Sequence, residues 1–215
     1  MSDAAVTRGG RSESGGAPSF VTAERLHRPE AVAIARAFVD LLGDTYEHLV
    51  VAGSLRRRLA YVKDIEVVCV PKLVPITTDL LGERHVERDL LDERMADLLD
   101  AGEVEKRLDR NGTPRWGPKL KLCTYRGAAV DLFVCEPGQF GWRLMVWTGP
   151  AAFSRQLVLD RGRKTKDGRP GLKPAHVRCA DGWLTWSSGE KIPTPTERDA
   201  FAALSLPYVD PWERE

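Results

Sequence analysis

Several features that would quickly assign a chain to a class are missing from this 215-residue sequence. No apolar run approaches the roughly 18 residues a membrane span needs, so the expectation is a soluble, cytoplasmic chain with no membrane partner. The four cysteines, Cys69, Cys123, Cys135 and Cys179, lie far apart with no Cys-x-x-Cys pair. That spacing speaks against structural zinc and reads as small core residues in a reducing compartment. The histidines, His27, His48, His85 and His176, form neither a metal-binding spacing nor a triad. Charge of one sign is also lacking: 32 Lys and Arg stand against 31 Asp and Glu, so any polyanionic partner must be read from local clusters. The opening MSDAAVTRGGRSESGGAPS has no apolar core of the signal-peptide kind, and residues 1–20 read as a disordered tail. No internal repeat is present.

What is there begins at Arg28. PEAVAIARAFVDLLG puts Pro29 at a first helical position, Ala31, Ile34, Ala35, Phe38 and Leu42 at helical spacing, and Gly43 at the stop. HLVVA, 48–52, is short and β-branched, hence a strand, and Gly53-Ser54 breaks it. LRRRLAYV reads as one or two helical turns capped by Ser54, and DIEVVCVP as a second strand. The acidic stretch from Val86 to Leu99 reads as an amphipathic helix with Leu90, Leu91, Met95, Leu98 and Leu99 as its apolar face. Strands at 118–125 and 128–135 follow, joined by a tight Arg126-Gly127 hairpin. After Phe140 the composition turns to Trp, Gly and basic residues. The expected division is a domain over 21–141 and a smaller one over 142–215, in an α/β (α+β) fold with a mixed, mostly antiparallel sheet covered by helices.

Two carboxylates in the second strand carry the functional argument. Residues i and i+2 of a strand share a face, so Asp64 and Glu66 project together. Like charges so placed raise one another's pKa unless a cation lies between them. VDLFV supplies a third carboxylate, Asp131, on another expected strand. Three carboxylates make a hard-oxygen site suited to Mg²⁺, or to Mn²⁺ in its place, and two such ions stabilise both oxygens of an in-line phosphoryl displacement. Gly53 lets the backbone approach a ligand, Ser54 offers a hydroxyl, and Arg56 and Arg57 offer charge-assisted donors to phosphate. Strand, Gly-Ser, spacer, Asp-Ile-Glu and a later isolated Asp is the pattern of the nucleotidyltransferases.

Over nearly all of residues 30–215 the sequence resembles the DNA polymerase beta-like group, family X, in GSLRRR, KDIEVVCVP, GPKLKL, VDLFV, QFGWRLMVWTGPAAFSRQL and TERDAFAALSLPYVDPWERE. The resemblance implies a nucleotidyltransferase palm followed by a thumb-like subdomain. It implies that Asp64, Glu66 and Asp131 hold two Mg²⁺ ions and that Asp131 helps activate a primer 3′-hydroxyl. Gly53, Ser54 and Arg57 would bind the triphosphate, with Trp147, Thr148 and Gly149 beside the nucleotide's sugar and base. Ser154 and Arg155 would meet the nascent pair and template. The implied reaction is transfer of a nucleoside monophosphate from a (d)NTP to a primer 3′-OH in gap-filling DNA repair, by a monomer.

Departures from the family pattern bear on that expectation. Glu66 stands where the family usually has Asp, Val62-Lys63 replaces small residues before the first acid, and Val146-Trp147 replaces a Tyr-Phe pair, leaving sugar preference open. The chain has no room for the family's N-terminal lyase domain or its helix-hairpin-helix repeats, so lyase activity is not expected and a repair partner protein would help to grip the DNA. RGRKTKDGRPGLKPAHVR, 161–178, is basic, and Arg163, Lys164 and Lys166 are its expected contacts to DNA phosphates. The alternatives are transfer to another acceptor (an RNA end, a small molecule or a protein), an untemplated terminal transferase, and a non-catalytic DNA-binding module.

Overall fold

Alternation along two neighbouring strands organises the molecule. The computed structural model describes residues 25–77 and 85–214; the expected tail over 1–20 lies outside them. In chain order come β1 (Leu26–His27), α1 (Arg28–Leu42), β2 (Tyr46–Val51), α2 (Gly53–Arg56), β3 (Tyr61–Val62), β4 (Ile65–Pro71), β5 (Leu73–Thr77), β6 (His85–Asp89), α3 (Leu90–Asp100), β7 (Glu105–Lys106), β8 (Trp116–Gly117), β9 (Leu120–Tyr125) and β10 (Ala128–Val134). The main sheet runs β2-β4-β10-β9-β7, with β8 also on β9. β4 and β10 are parallel and its other pairs antiparallel. The fold is mixed α/β.

Each strand divides its residues between two cores. Ile65, Val67 and Cys69 of β4 and Val130, Leu132 and Val134 of β10 are buried with Ala31, Ala35, Phe38 and Leu42 of α1 and Leu91, Met95 and Leu98 of α3. The opposite face buries Val68, Val70, Phe133 and Cys135 against Phe140 and Leu144 of α4 (Phe140–Thr148). Each such large side chain contributes about 1.5–3 kcal/mol by leaving water. By the same alternation Glu66 lies on the face of Val68 and Val70, and Asp131 on the face of Phe133, so both acids belong to the α4 side.

Beyond α4 lie α5 (Ala151–Leu157), the three-stranded sheet β11 (Val177–Ala180), β12 (Trp183–Trp186) and β13 (Lys191–Ile192), and α6 (Glu197–Ala203). Their core contains Trp142, Met145, Phe153, Leu157, Leu184 and Phe201. Gly141 ties this part to the sheet. Its N–H donates to the Thr194 carbonyl at 2.7 Å, and a Cβ there would lie 1.8 Å from the Thr196 carbonyl oxygen, so only glycine allows the approach.

Several expectations need correction. Val86 to Asp89 is strand, not helix: it pairs with β5, Val86 opposite Ile76, and Asp89 caps α3 by accepting from the Asp92 N–H at 2.9 Å. Ala52, not Ser54, is the residue before α2, and the chain after α2 forms β3 against β1, with His27 opposite Tyr61. Strand β9 starts at Leu120, after a separate β8. Cys179 is exposed, whereas Cys69, Cys123 and Cys135 are buried. At α6, Thr196 is the cap and Asp199 closes the capping box, which frees Glu197 for another role. Among the described residues no helix is long and apolar enough to cross a membrane.

Candidate active site

The two acids on neighbouring strands meet because the strands are in register. Asp131 lies opposite Glu66 in the parallel β4–β10 ladder, and Asp64 sits one residue before β4 on the same side as Glu66. Beside them the chain turns at Gly53, whose φ of 58° is in the left-handed region. A Cβ on Gly53 would lie 1.3 Å from Glu66 Oε2, so the carboxylate packs directly on the glycine. The Ser54 N–H donates to the same oxygen at 3.3 Å. Ser54 Oγ is buried and has no partner among the described residues.

Burial, and then the neighbouring Asp64, pushes the Glu66 carboxyl up to about 8; Arg57 acts against that rise and Asp131 adds to it. Asp131 is also raised, by burial first, with the ion pair from Arg107 opposing the shift and Asp64 reinforcing it. Three neighbouring oxygen donors of like charge suit a hard divalent cation, which would remove the repulsion. Among the described residues no three such side chains converge into one ligand set. Glu66 is turned onto the Gly53 turn and Asp131 toward Arg107.

Asp64 and Glu66 open into a cavity of about 740 Å³; Asp131, turned toward Arg107, does not line it. Ser54, Arg57, Lys63, Asp64 and Glu66 form one wall, Val146, Trp147, Gly149, Ala151, Ser154 and Arg155 the facing wall, and Arg25, Leu59 and Tyr61 the rim. Trp147 is held by stacking on Phe133, ring centroids 3.7 Å apart and 13° from parallel. Thr148 does not line the cavity. It is buried, its Oγ1 accepts from Arg56 Nη1 at 2.7 Å, and its carbonyl accepts from Arg57. Ser154 spends its hydroxyl on the Val146 carbonyl at 2.6 Å. Arg163, Lys164 and Lys166 are exposed on the loop between α5 and β11, apart from the cavity.

Sequence reasoning missed the seam that holds the two walls together. Glu197 of α6 accepts both arms of Arg56, at 2.8 and 2.7 Å, and pairs with Arg214 at 2.9 Å. Tyr208 donates its hydroxyl to the same carboxylate at 3.4 Å. Glu197 entered the sequence reading only within the matching segment TERDAFAALSLPYVDPWERE; its partner Arg56 lies 141 residues away in sequence. Arg25 was missed as a site residue, and Arg107 was missed as the partner of Asp131, for the same reason.

Comparison with known proteins covers parts of the chain. Residues 143–215 match the family described as DNA polymerase beta thumb, the segment that supplies the second cavity wall and the Glu197–Arg214 pair. DNA polymerase lambda of Rattus norvegicus is 33% identical over 102 residues, covering 45% of this chain and 18% of the relative. Over these stretches the chain is similar to family X polymerases. It spans under a fifth of that curated relative's length.

Proposed function

We propose that the chain transfers a nucleoside monophosphate from a nucleoside triphosphate to a primer 3′-hydroxyl, filling short gaps in DNA. In this reading 21–141 is the palm and 142–215 the thumb. The observation that carries it is the in-register pairing of Asp131 with Glu66, which with Asp64 lines a cavity whose other wall belongs to the thumb-matching segment. Asp64, Glu66 and Asp131 would hold two Mg²⁺ ions, or Mn²⁺. Bound there, the ions would supply charge neutralisation at the attacking and leaving oxygens.

The remaining work falls to the chain's own groups. Ser54, whose hydroxyl has no partner among the described residues, and Arg57, held by the Thr148 carbonyl, would bind triphosphate oxygens once Glu66 leaves the Gly53 turn. Trp147 and Gly149 form the surface against which sugar and base would lie. Arg155 on the cavity wall and Arg163, Lys164 and Lys166 beyond it would take primer–template phosphates. Catalysis would consist mainly of alignment and charge compensation.

The test offers a labelled primer as single strand, recessed duplex and one-nucleotide gap, with each dNTP and rNTP singly and with Mg²⁺ or Mn²⁺. The expected result is extension of the gapped duplex by the complementary nucleotide. Extension of the single strand by any nucleotide would make the chain a terminal transferase. Failure of every DNA primer would move the reaction to another acceptor.

A further inference from the structure

Arg107 reaches Asp131 from the edge of the sheet. In the β7–β9 ladder Lys106 lies opposite Cys123, and the next residue, Arg107, still donates its backbone N–H to the Leu122 carbonyl at 2.9 Å. Leu122 is also the residue opposite Asp131 on β10. Arg107 therefore stands level with Asp131 across β9, and its side chain donates Nη2 to Asp131 Oδ1.

The contact is built to be exchanged. Only one guanidinium nitrogen engages the carboxylate, and Arg107 Nε is buried with no acceptor among the described residues. A two-pronged guanidinium–carboxylate fork would be stronger and geometrically fixed; a single prong is not. Both side chains keep access to solvent, Arg107 at 31% and Asp131 at 18% exposure, so they can part without stranding a charge in the core. A divalent cation on Asp131 would carry twice the charge of the arginine and repel it at short range.

We infer that Arg107 is a positioning residue that neutralises Asp131 in the cation-free protein and yields it when a divalent cation arrives, thereby setting the cation affinity of the site. This rests on the reading of Asp131 as a metal ligand. Because the cation must first break the ion pair, affinity is lowered by the pair's own equilibrium constant, about fivefold for a partly exposed pair.

The test measures Mn²⁺ binding to the full chain by the electron paramagnetic resonance signal of free Mn²⁺, without nucleotide or DNA. Arg107→Gln should bind Mn²⁺ about fivefold more tightly than the wild type. Arg107→Met, which keeps the aliphatic stem, should do the same should the glutamine variant fold poorly. Arg155→Gln removes a cavity cation that does not touch Asp131 and should change the affinity less than about twofold. Equal or weaker binding by both Arg107 variants would overturn the inference and leave the polymerase reading standing. Equal tightening by Arg155→Gln would also overturn it, by showing a general charge effect. Absence of Mn²⁺ binding in the wild type and both Arg107 variants would overturn the metal reading together with the inference.

Discussion

Two clusters of charge lie on either side of the Gly53–Arg57 turn, and they are built in opposite ways. At the seam one carboxylate, Glu197, is met by two arginines, Arg56 and Arg214, and by the Tyr208 hydroxyl, and is only 6% exposed. Around the Asp131–Glu66 pair three carboxylates, Asp64, Glu66 and Asp131, face too few cations, and burial first, then their mutual repulsion, raises the proton affinity of Glu66 and Asp131. A saturated cluster needs nothing further and holds two parts of the chain together. A starved cluster costs stability as it stands, and that cost is relieved when a cation binds. The same residue types therefore serve attachment in one place and, in the proposed function, chemistry in the other.

The comparison breaks most sharply at the cavity acids. Asp64→Ala and Asp131→Ala should each reduce nucleotide insertion by on the order of a thousandfold or more, about 4 kcal/mol, while thermal denaturation shows little loss of stability. A melt showing collapse of either variant would place these acids with the saturated kind. Glu197→Ala should do the reverse. It strands Arg56 and the fully buried Arg214 side chain, and should cost about 3 kcal/mol in a denaturant titration.

Glu66 sharpens the contrast through pH. Its folded carboxyl titrates near 8, against an ordinary value of 4.5. The folded, metal-free protein thus keeps a proton that the unfolded chain releases, so stability falls as pH rises from about 4.5 to about 8 and is level above. Glu66→Gln should remove that fall, leaving the metal-free protein about 1–2 kcal/mol more stable than wild type at pH 9. Melting curves across this range in the presence of a chelator check it. The smallest effect on the fold belongs to the loop. Lys164→Ala with Lys166→Ala should leave stability within about 0.5 kcal/mol, yet lower the salt slope of DNA binding by about 2.

How much of this was legible depended on how far each residue's partner lies along the chain. α1 was readable because Pro29, the apolar spacing and Gly43 are all local, and the Arg126-Gly127 hairpin because both residues adopt positive φ, 48° and 75°. The face shared by Asp64 and Glu66 follows from strand period alone, whereas the alignment of Asp131 with Glu66 depends on a parallel register that no local signal sets. The start of α3 was misread because Val86 to Asp89 carries residues that suit a helix until β5 pairs with it. Glu197 and Arg107 were invisible as partners because their contacts span 141 and 24 residues. Glu66 was legible as a longer arm than Asp, but that the extra length folds it back onto Gly53 required the turn itself.

The central claim is that the starved carboxylates on β4 and β10 carry phosphoryl transfer to a primer end. The most direct measurement is a single-turnover assay on a one-nucleotide gap, following primer extension and pyrophosphate release together in the wild type and Asp131→Ala. The account predicts equal amounts of extended primer and pyrophosphate from the wild type and neither product from the variant on the same timescale. Extension that survives in Asp131→Ala, or its absence from the wild type with both Mg²⁺ and Mn²⁺, would contradict it.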